Sequence, residues 1–325
     1  MFNFSVEKET KSDYFDQVNK WDLLVIGGGP AGLNAALYAK RKGLIVGVIA
    51  DEIGGQLNNT TAVDNYLGFN FIEGEQLSNT FLDHVNQIDI PILKGVKVKS
   101  VHKESHDFTV TLSGGKSYVS KTLLMATGGN PRKLDIPGEK EYANKGVTYC
   151  ATCDAPFFKD KHVIVAGGGN SAAEGVLDLV PWASKITVVH RSQWRADQVL
   201  LSKLENIEKL TVHLETQIQE VIGEERMKGV KVLDKRTNKE KVIEADGLLI
   251  EIGNVPNNHL IEHLVETNAQ GEVYVDEHQK TSLEGLYAAG DLTTQAYKQI
   301  IIAAAEGAKA DLAINHYLNH NYKGE

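Results

Sequence analysis

An α/β chain built from two similar three-layer modules, each with a small antiparallel meander, is what three features of the sequence predict. The length of 325 residues corresponds to two domains at roughly 100 to 200 residues each. Short runs rich in Val and Ile end in glycine clusters and lead into helical patterns, an order of strand, turn and helix. That plan occurs twice. Trp21 to Gly29 (WDLLVIGGG) is echoed by Lys161 to Gly169 (KHVIVAGGG), and Leu124 to Pro131 (LMATGGNP) by Leu249 to Pro256 (LIEIGNVP).

Composition narrows the partners. A hydrophobic fraction of 42%, a charged fraction of 24% and 7 prolines place the chain among globular proteins rather than disordered or fibrous ones. Uninterrupted apolar stretches fall short of the roughly 18 residues of a membrane span, so a soluble protein with no membrane partner is expected. The net charge is −9 with Lys and Arg dispersed, which excludes nucleic acid, whose binding needs a concentrated basic face. The first twenty residues alternate charged and polar side chains (Glu7, Lys8, Glu9, Lys11, Asp13, Asp16, Lys20) without an apolar core. Export is therefore not indicated, and a cytoplasmic location is expected.

In chain order, the first apolar run ends in glycines and is followed by a helix from about Gly29 to Lys42, with apolar residues at three- and four-residue spacing and Gly43 as its stop. A second strand, IVGVIAD, ends at Asp51. Alternating stretches separated by turn signals then predict a meander over Val96 to Ser100, Phe108 to Leu112 and Tyr118. The second module repeats the pattern with Ile186 to Val189 as a strand and a meander over Val212 to Val221, Val230 to Leu233 and Val242 to Ile243. Strand, glycine turn and helix in this order define a Rossmann unit.

The first glycine turn, VIGGGPAG, contains Gly27-x-Gly29-x-x-Gly32 with Pro30 and Ala31 inside it. Gly27 allows the tight turn, Gly29 lets a pyrophosphate approach the backbone, and Gly32 lets helix and strand pack closely. Asp51 at the end of the next strand is placed to hold a ribose diol. The second turn, VAGGGNSAAE, reads Gly167-x-Gly169-x-x-Ala172, with Asn170, Ser171 and Glu174 opening its helix. The strand after it ends not in an acid but in His190-Arg191-Ser192-Gln193-Trp194-Arg195. Guanidinium groups at Arg191 and Arg195 favour the 2′-phosphate of NADPH over NADH, through charge-assisted hydrogen bonds.

Cys150 and Cys153 are the only cysteines. Structural zinc needs four ligands, so metal binding is not expected and a redox pair is. A vicinal dithiol carries two electrons, because a mixed disulfide formed by one sulfur is resolved by the other. Asp154 follows directly and is placed to protonate a leaving thiolate; the structural alternative for an Asp at such a turn is a helix cap. One dinucleotide turn for FAD, another for a nicotinamide cofactor and a dithiol together make an electron relay, since flavin links hydride donors to disulfides.

These motifs resemble the low-molecular-weight thioredoxin reductases along nearly the whole chain: VIGGGPAG (25 to 32), GGQL (54 to 57), DNYLGF (64 to 69), ATG (126 to 128), CATCD (150 to 154), GGGNSAAE (167 to 174) and YAAGD (287 to 291). The resemblance implies FAD contacts at Gly55, Gln56, Asn65, Thr127, Gly290, Asp291, Gln299 and Ile300. It makes Cys153 the flavin-proximal sulfur, Cys150 the sulfur that attacks a thioredoxin-like partner, and Asp154 the acid. It also implies an FAD-binding domain made of residues 1–125 and 252–325, a nucleotide domain of 126–251 inserted into it, a hinge near Met125 and Ile252, and a homodimer.

Ser192 stands where NADPH-linked members of that family carry a second Arg, and PGEKEYANKGVTYC, RADQVL and YKQIIIAAAEGAKA resemble the reductase half of the alkyl hydroperoxide reductase flavoprotein. That half is NADH-linked and follows a long thioredoxin-like extension, whereas about 21 residues precede the first strand here, so the acceptor is expected as a separate molecule. The alternatives are thus an NADH-linked reductase of a peroxidase system, a ferredoxin-fed flavin enzyme with a decayed nucleotide site, or a flavin-binding sensor without turnover. His259-Leu260-Ile261-Glu262-His263 matches an inverse zincin pattern, but with 11 histidines such spacing arises easily and no metal is expected. The Asn3 and Asn59 sequons carry no meaning in a cytoplasmic protein.

Overall fold

The computed structural model describes residues 11–60 and 62–324. The readings at Glu7, Lys8, Glu9 and the Asn3 sequon, and the side chains of Lys11 and Asp13, lie outside what is described. The chain divides into two compact units, Met1–Asn130 with Val255–Glu325, and Pro131–Asn254.

The first unit opens with α1 (Lys11–Gln17), whose buried Phe15 packs on Trp21 with ring centroids 4.4 Å apart. β1 (Trp21–Gly28) and α2 (Pro30–Arg41) follow, with Pro30 at a first helical position, where its missing N–H leaves nothing unpaired. Next come β2 (Val46–Ile53), α3 (Gly74–Gln87) and β3 (Ile92–Lys94). β4 (Val98–Glu104), β5 (Asp107–Leu112) and β6 (Ser117–Met125) make the meander, and β7 (Gly129–Pro131) ends the segment.

The second unit runs through β8 (Val147–Thr148), α4 (Ala151–Asp154), β9 (His162–Ala166), α5 (Asn170–Leu179), β10 (Lys185–Val189), α6 (Gln198–Leu204) and β11 (Leu210–His213). β12 (Thr216–Gly223), β13 (Met227–Asp234) and β14 (Lys239–Glu244) are its meander, and β15 (Gly247–Ile250) returns to the parallel sheet. β16 (Asn254–Pro256), which pairs with β7, then leads back to the first unit, completed by β17 (Leu286–Ala288) and α7 (Ile300–His320).

Both units share one parallel order, β3-β2-β1-β6-β17 in the first and β11-β10-β9-β15-β8 in the second. In the first, β6 serves two sheets. Its Ser117 to Ser120 half pairs antiparallel with β5, and Leu123 to Met125 pair parallel with β17. In the second the same passage is broken by Ala245 and Asp246, so the meander β12-β13-β14 is a separate sheet.

One expectation is corrected here: Val212 to Val221 is not one strand. Val212 pairs parallel with Val188, while Val221 pairs antiparallel with Val230, because Glu215 between them turns the chain with φ +51°. Alternation along each central strand sorts its side chains onto two faces. Leu23 and Val25 pack with α2 and α7, and Leu24 and Ile26 with Phe108 and Val110 of the meander. In the second unit Val163 and Val165 face α5, while Ile164 and Ala166 face β12 and β13. Three layers follow in each unit. Among the described residues no helix is long and apolar enough to cross a membrane.

Candidate active site

The first glycine turn joins β1 to α2. Gly27 has φ +119°, and a Cβ there would lie 2.2 Å from Ala126 O; at Gly32 a Cβ would lie 2.0 Å from Gly27 O. These two positions accept only glycine without a backbone shift. A Cβ at Gly29 would meet nothing within 4 Å, and no side chain caps the start of α2. The turn therefore presents open space and helix-start amides to an incoming anion, which fits a pyrophosphate.

Around this turn the structure gathers residues distant in sequence. Gly55 comes within 3.7 Å of Gly29 Cα and Gly290 within 3.4 Å of Ala31 Cβ, both measured from a built Cβ. The Gly290 N–H donates to buried Glu306 Oε2 at 2.7 Å. Asp291, beside it, is held above the usual carboxylate range by burial, with the Lys298 ammonium opposing the shift. Asn65 Nδ2 donates to Gln299 Oε1 at 3.2 Å, and Gln299 precedes Ile300 at the start of α7. Gln56 Nε2 donates to Gly129 O at 3.0 Å, and Thr127 Oγ1 to Asn257 O at 2.7 Å. Asp51 stands exposed on β2, 3.3 Å from the Lys97 ammonium.

In the second unit a Cβ at Gly167 would lie 2.2 Å from Glu251 O, whereas at Gly169 it would again meet nothing within 4 Å. α5 starts here without a side-chain cap; Asn170, Ser171 and Glu174 are exposed and Ala172 is buried. The loop after β10 is tied back onto the turn. Arg195 N–H donates to Gly168 O at 2.7 Å, and Asn170 exchanges hydrogen bonds with Asp197 at 2.8 Å each way. His190 is buried against Gly168 and lies 3.0 Å from Ser192 Oγ. Burial first, then the nearby Arg195 and Arg191 charges, lower its pKa, so its ring stays neutral while both guanidinium groups remain exposed.

Cys150 and Cys153 form a disulfide just beyond the carboxyl end of β8. Cys150 is the N-cap of α4, its Sγ accepting the Cys153 N–H at 3.2 Å. Asp154 ends α4 and stands at the N-cap position of the 3-10 turn Ala155–Phe158, where its side chain makes no cap hydrogen bond. Its Oδ2 accepts from Thr148 Oγ1, which in turn accepts the Cys150 N–H at 3.3 Å. On the outer side Thr152 Oγ1 donates to Asp178 Oδ2 at 3.1 Å. Behind the segment, buried Glu139 accepts the Asp135 N–H at 2.7 Å and Tyr149 Oη at 2.9 Å; burial and this acid raise the Tyr149 pKa. The dithiol thus occupies in the second sheet the strand-end position that Gly290 and Asp291 occupy in the first.

Several of these partners escape a reading by motif. Glu306, Thr148 and Asp197 all lie inside stretches read for their family likeness alone. Only chain folding brings them to the turns. Among the described residues no group of three or more His, Cys, Asp and Glu side chains could hold a metal ion, His259, Glu262 and His263 included.

Two dinucleotide-type turns and a disulfide define a class of redox enzyme. The pyridine nucleotide-disulphide oxidoreductase family matches residues 21–307, and the chain belongs to it. A solved thioredoxin reductase from Streptococcus pyogenes MGAS5005 matches with a TM-score of 0.88 at 34% identity, over 93% of this chain and 99% of that one. A Bacillus subtilis (strain 168) protein named NADH dehydrogenase is 39% identical over 313 residues, 96% of this chain and 61% of the relative. A Staphylococcus aureus (strain NCTC 8325 / PS 47) protein named as an alkyl hydroperoxide reductase subunit is 38% identical over 308 residues, 94% of this chain and 61% of the relative. The chain spans about three fifths of the length of these two relatives.

Proposed function

We propose that the chain is a thioredoxin-disulfide reductase that passes electrons from NADPH, through FAD and the Cys150/Cys153 dithiol, to a disulfide of a thioredoxin-like protein. The observation that carries this reading is the Cys150–Cys153 disulfide at a strand end in the same unit as the second glycine turn. FAD would be held by the Gly27–Gly32 turn, Asp51, Gln56, Asn65, Asp291 and Gln299, and when bound it supplies the two-electron link between hydride donor and disulfide. The nicotinamide dinucleotide would lie on Gly167–Ala172, with Arg191 and Arg195 toward its 2′-phosphate.

The chain's own chemistry then follows from Cys150, Cys153 and Asp154. Two electrons and two protons open the Cys150–Cys153 bond to two thiols. The Cys150 thiolate attacks the partner disulfide, forming a mixed disulfide, and the departing partner sulfur takes a proton from Asp154. Cys153 then attacks Cys150, which releases the second partner sulfur and restores the intramolecular bond.

A second reading is an NADH-linked reductase feeding a peroxidase system, favoured by the 38% and 39% identical relatives and by Ser192 in the basic segment. Anaerobic stopped-flow reduction with NADPH and NADH separately, followed by turnover with a thioredoxin, decides between them. Fast bleaching of the flavin by NADPH with steady thioredoxin reduction is the expected result. Fast bleaching by NADH alone would transfer the reading to the peroxidase system, and bleaching by neither would point to a ferredoxin-type donor. The homodimer is carried by resemblance alone, and sedimentation velocity checks it.

A further inference from the structure

Glu251 ends the run LLIE one residue past β15, beneath the segment that carries the dithiol. The backbone N–H of Ala151, the first residue of α4 and the direct neighbour of Cys150, acts on its carboxylate in favour of the charged form. A Cβ built at Gly175 of α5 would touch Leu249, Glu251 Cγ at 3.4 Å and Ala151 Cβ at 3.5 Å, so α4, α5 and this side chain meet in one packed place inside the second unit. The charges acting on Glu251 are Asp178 and Glu174, both on α5 and both acidic. Ala151, which it meets there, is the residue that joins Cys150 to the rest of α4. The sequence motifs assign it no role.

We infer that Glu251 is a positioning residue for the dithiol: through Ala151 it fixes the first turn of α4, and its charge, when present, holds back thiolate formation at Cys150. The inference rests on reading Cys150 and Cys153 as the working pair. Burial removes Glu251 from water, and its two acidic neighbours add like charge, so its pKa rises to about 7 although the Ala151 N–H works in the opposite direction. Glu251 is therefore neutral in mildly acidic solution and anionic above neutrality. A carboxylate next to an emerging thiolate disfavours the second negative charge. The reduced pair is then held toward the thiol form wherever Glu251 is ionised, and nucleophilic readiness follows pH more gently than an isolated thiol would.

The test is alkylation of the reduced, full-length holoenzyme by iodoacetamide across pH 5.5 to 8.5, with the Cys150 peptide quantified by mass spectrometry, in the native protein and in Glu251→Gln. Glutamine keeps the shape and leaves an amide oxygen toward Ala151 but cannot ionise. The variant-to-native rate ratio is expected near one at pH 5.5, rising to roughly threefold by pH 8, because a tenfold gain in thiolate is damped by the weaker nucleophilicity of a more acidic thiol. A ratio that stays constant across pH, whatever its value, overturns the proposal. So does a native profile without an inflection near pH 7, a measurement that needs no variant. Thioredoxin turnover measured on the same samples separates the two readings: normal turnover with a flat ratio removes only the role of Glu251, whereas no turnover with any disulfide removes the functional reading itself.

Discussion

Arg191 and Arg195 show how much a position depends on what surrounds it. Their loop is pinned to Gly168 and Asn170 by backbone and side-chain hydrogen bonds, so the segment that carries both residues is held beside the second turn, with both side chains exposed. Replacing both by Ala is expected to raise KM for NADPH by roughly tenfold or more, since each charge-assisted bond contributes about 1.5 kcal/mol, with kcat and KM for NADH little changed. Steady-state kinetics with the two nucleotides checks this. Asp154 is bound through Thr148 to the Cys150 N–H, so Asp154→Asn keeps the shape and removes the acid. Its turnover is expected to fall by about a hundredfold, and the loss should appear in rapid-mix experiments as slow formation of the mixed disulfide with the partner.

The packing of α2 on α7 joins the first glycine turn to the chain's last helix. At Gly307 a Cβ would lie 2.0 Å from Ala31 O, so Gly307→Ala forces the helices apart beside the turn. A loss of about 2 kcal/mol and weaker FAD retention are expected, read by thermal unfolding and by flavin released on dilution. One turn farther along α7, Asp311 is fully buried with neither carboxylate oxygen hydrogen-bonded. Burial raises its pKa to about 7, against the opposing Lys42 charge. Below about pH 4 it is protonated folded and unfolded alike and has no effect. From there to about pH 7 the unfolded chain ionises while the folded one stays neutral, so stability is lost as pH rises, up to about 4 kcal/mol, and no further above it. Asp311→Ala is expected to gain in Tm over the native protein progressively between pH 4 and 7 and to hold that gain at pH 8. An advantage independent of pH would contradict this account.

Each unit of the protein places its chemistry beyond the carboxyl ends of the same parallel order, where strand ends and helix starts leave backbone groups for a ligand. The first unit offers its glycine turn with Gly290 and Asp291, the second its glycine turn with Cys150 and Cys153. Separable functions should follow: Cys150→Ser with Cys153→Ser is expected to retain full FAD content and reduction of bound flavin by NADPH, while disulfide turnover disappears. Absorbance spectra and a thioredoxin assay on one preparation check both halves. Glycine turns, the dithiol and the doubled plan were legible in the linear chain, because tight turns, close backbone approach and two-electron sulfur chemistry each demand particular residue types at short, fixed spacing. Glu306 under Gly290, Thr148 under Asp154, Glu251 under Ala151 and the split of Val212 from Val221 were not, since a hydrogen bond between residues far apart along the chain, the burial that shifts a carboxyl, or a turn at one left-handed Glu215 leaves no periodic mark and exists only once strands and helices have closed around it.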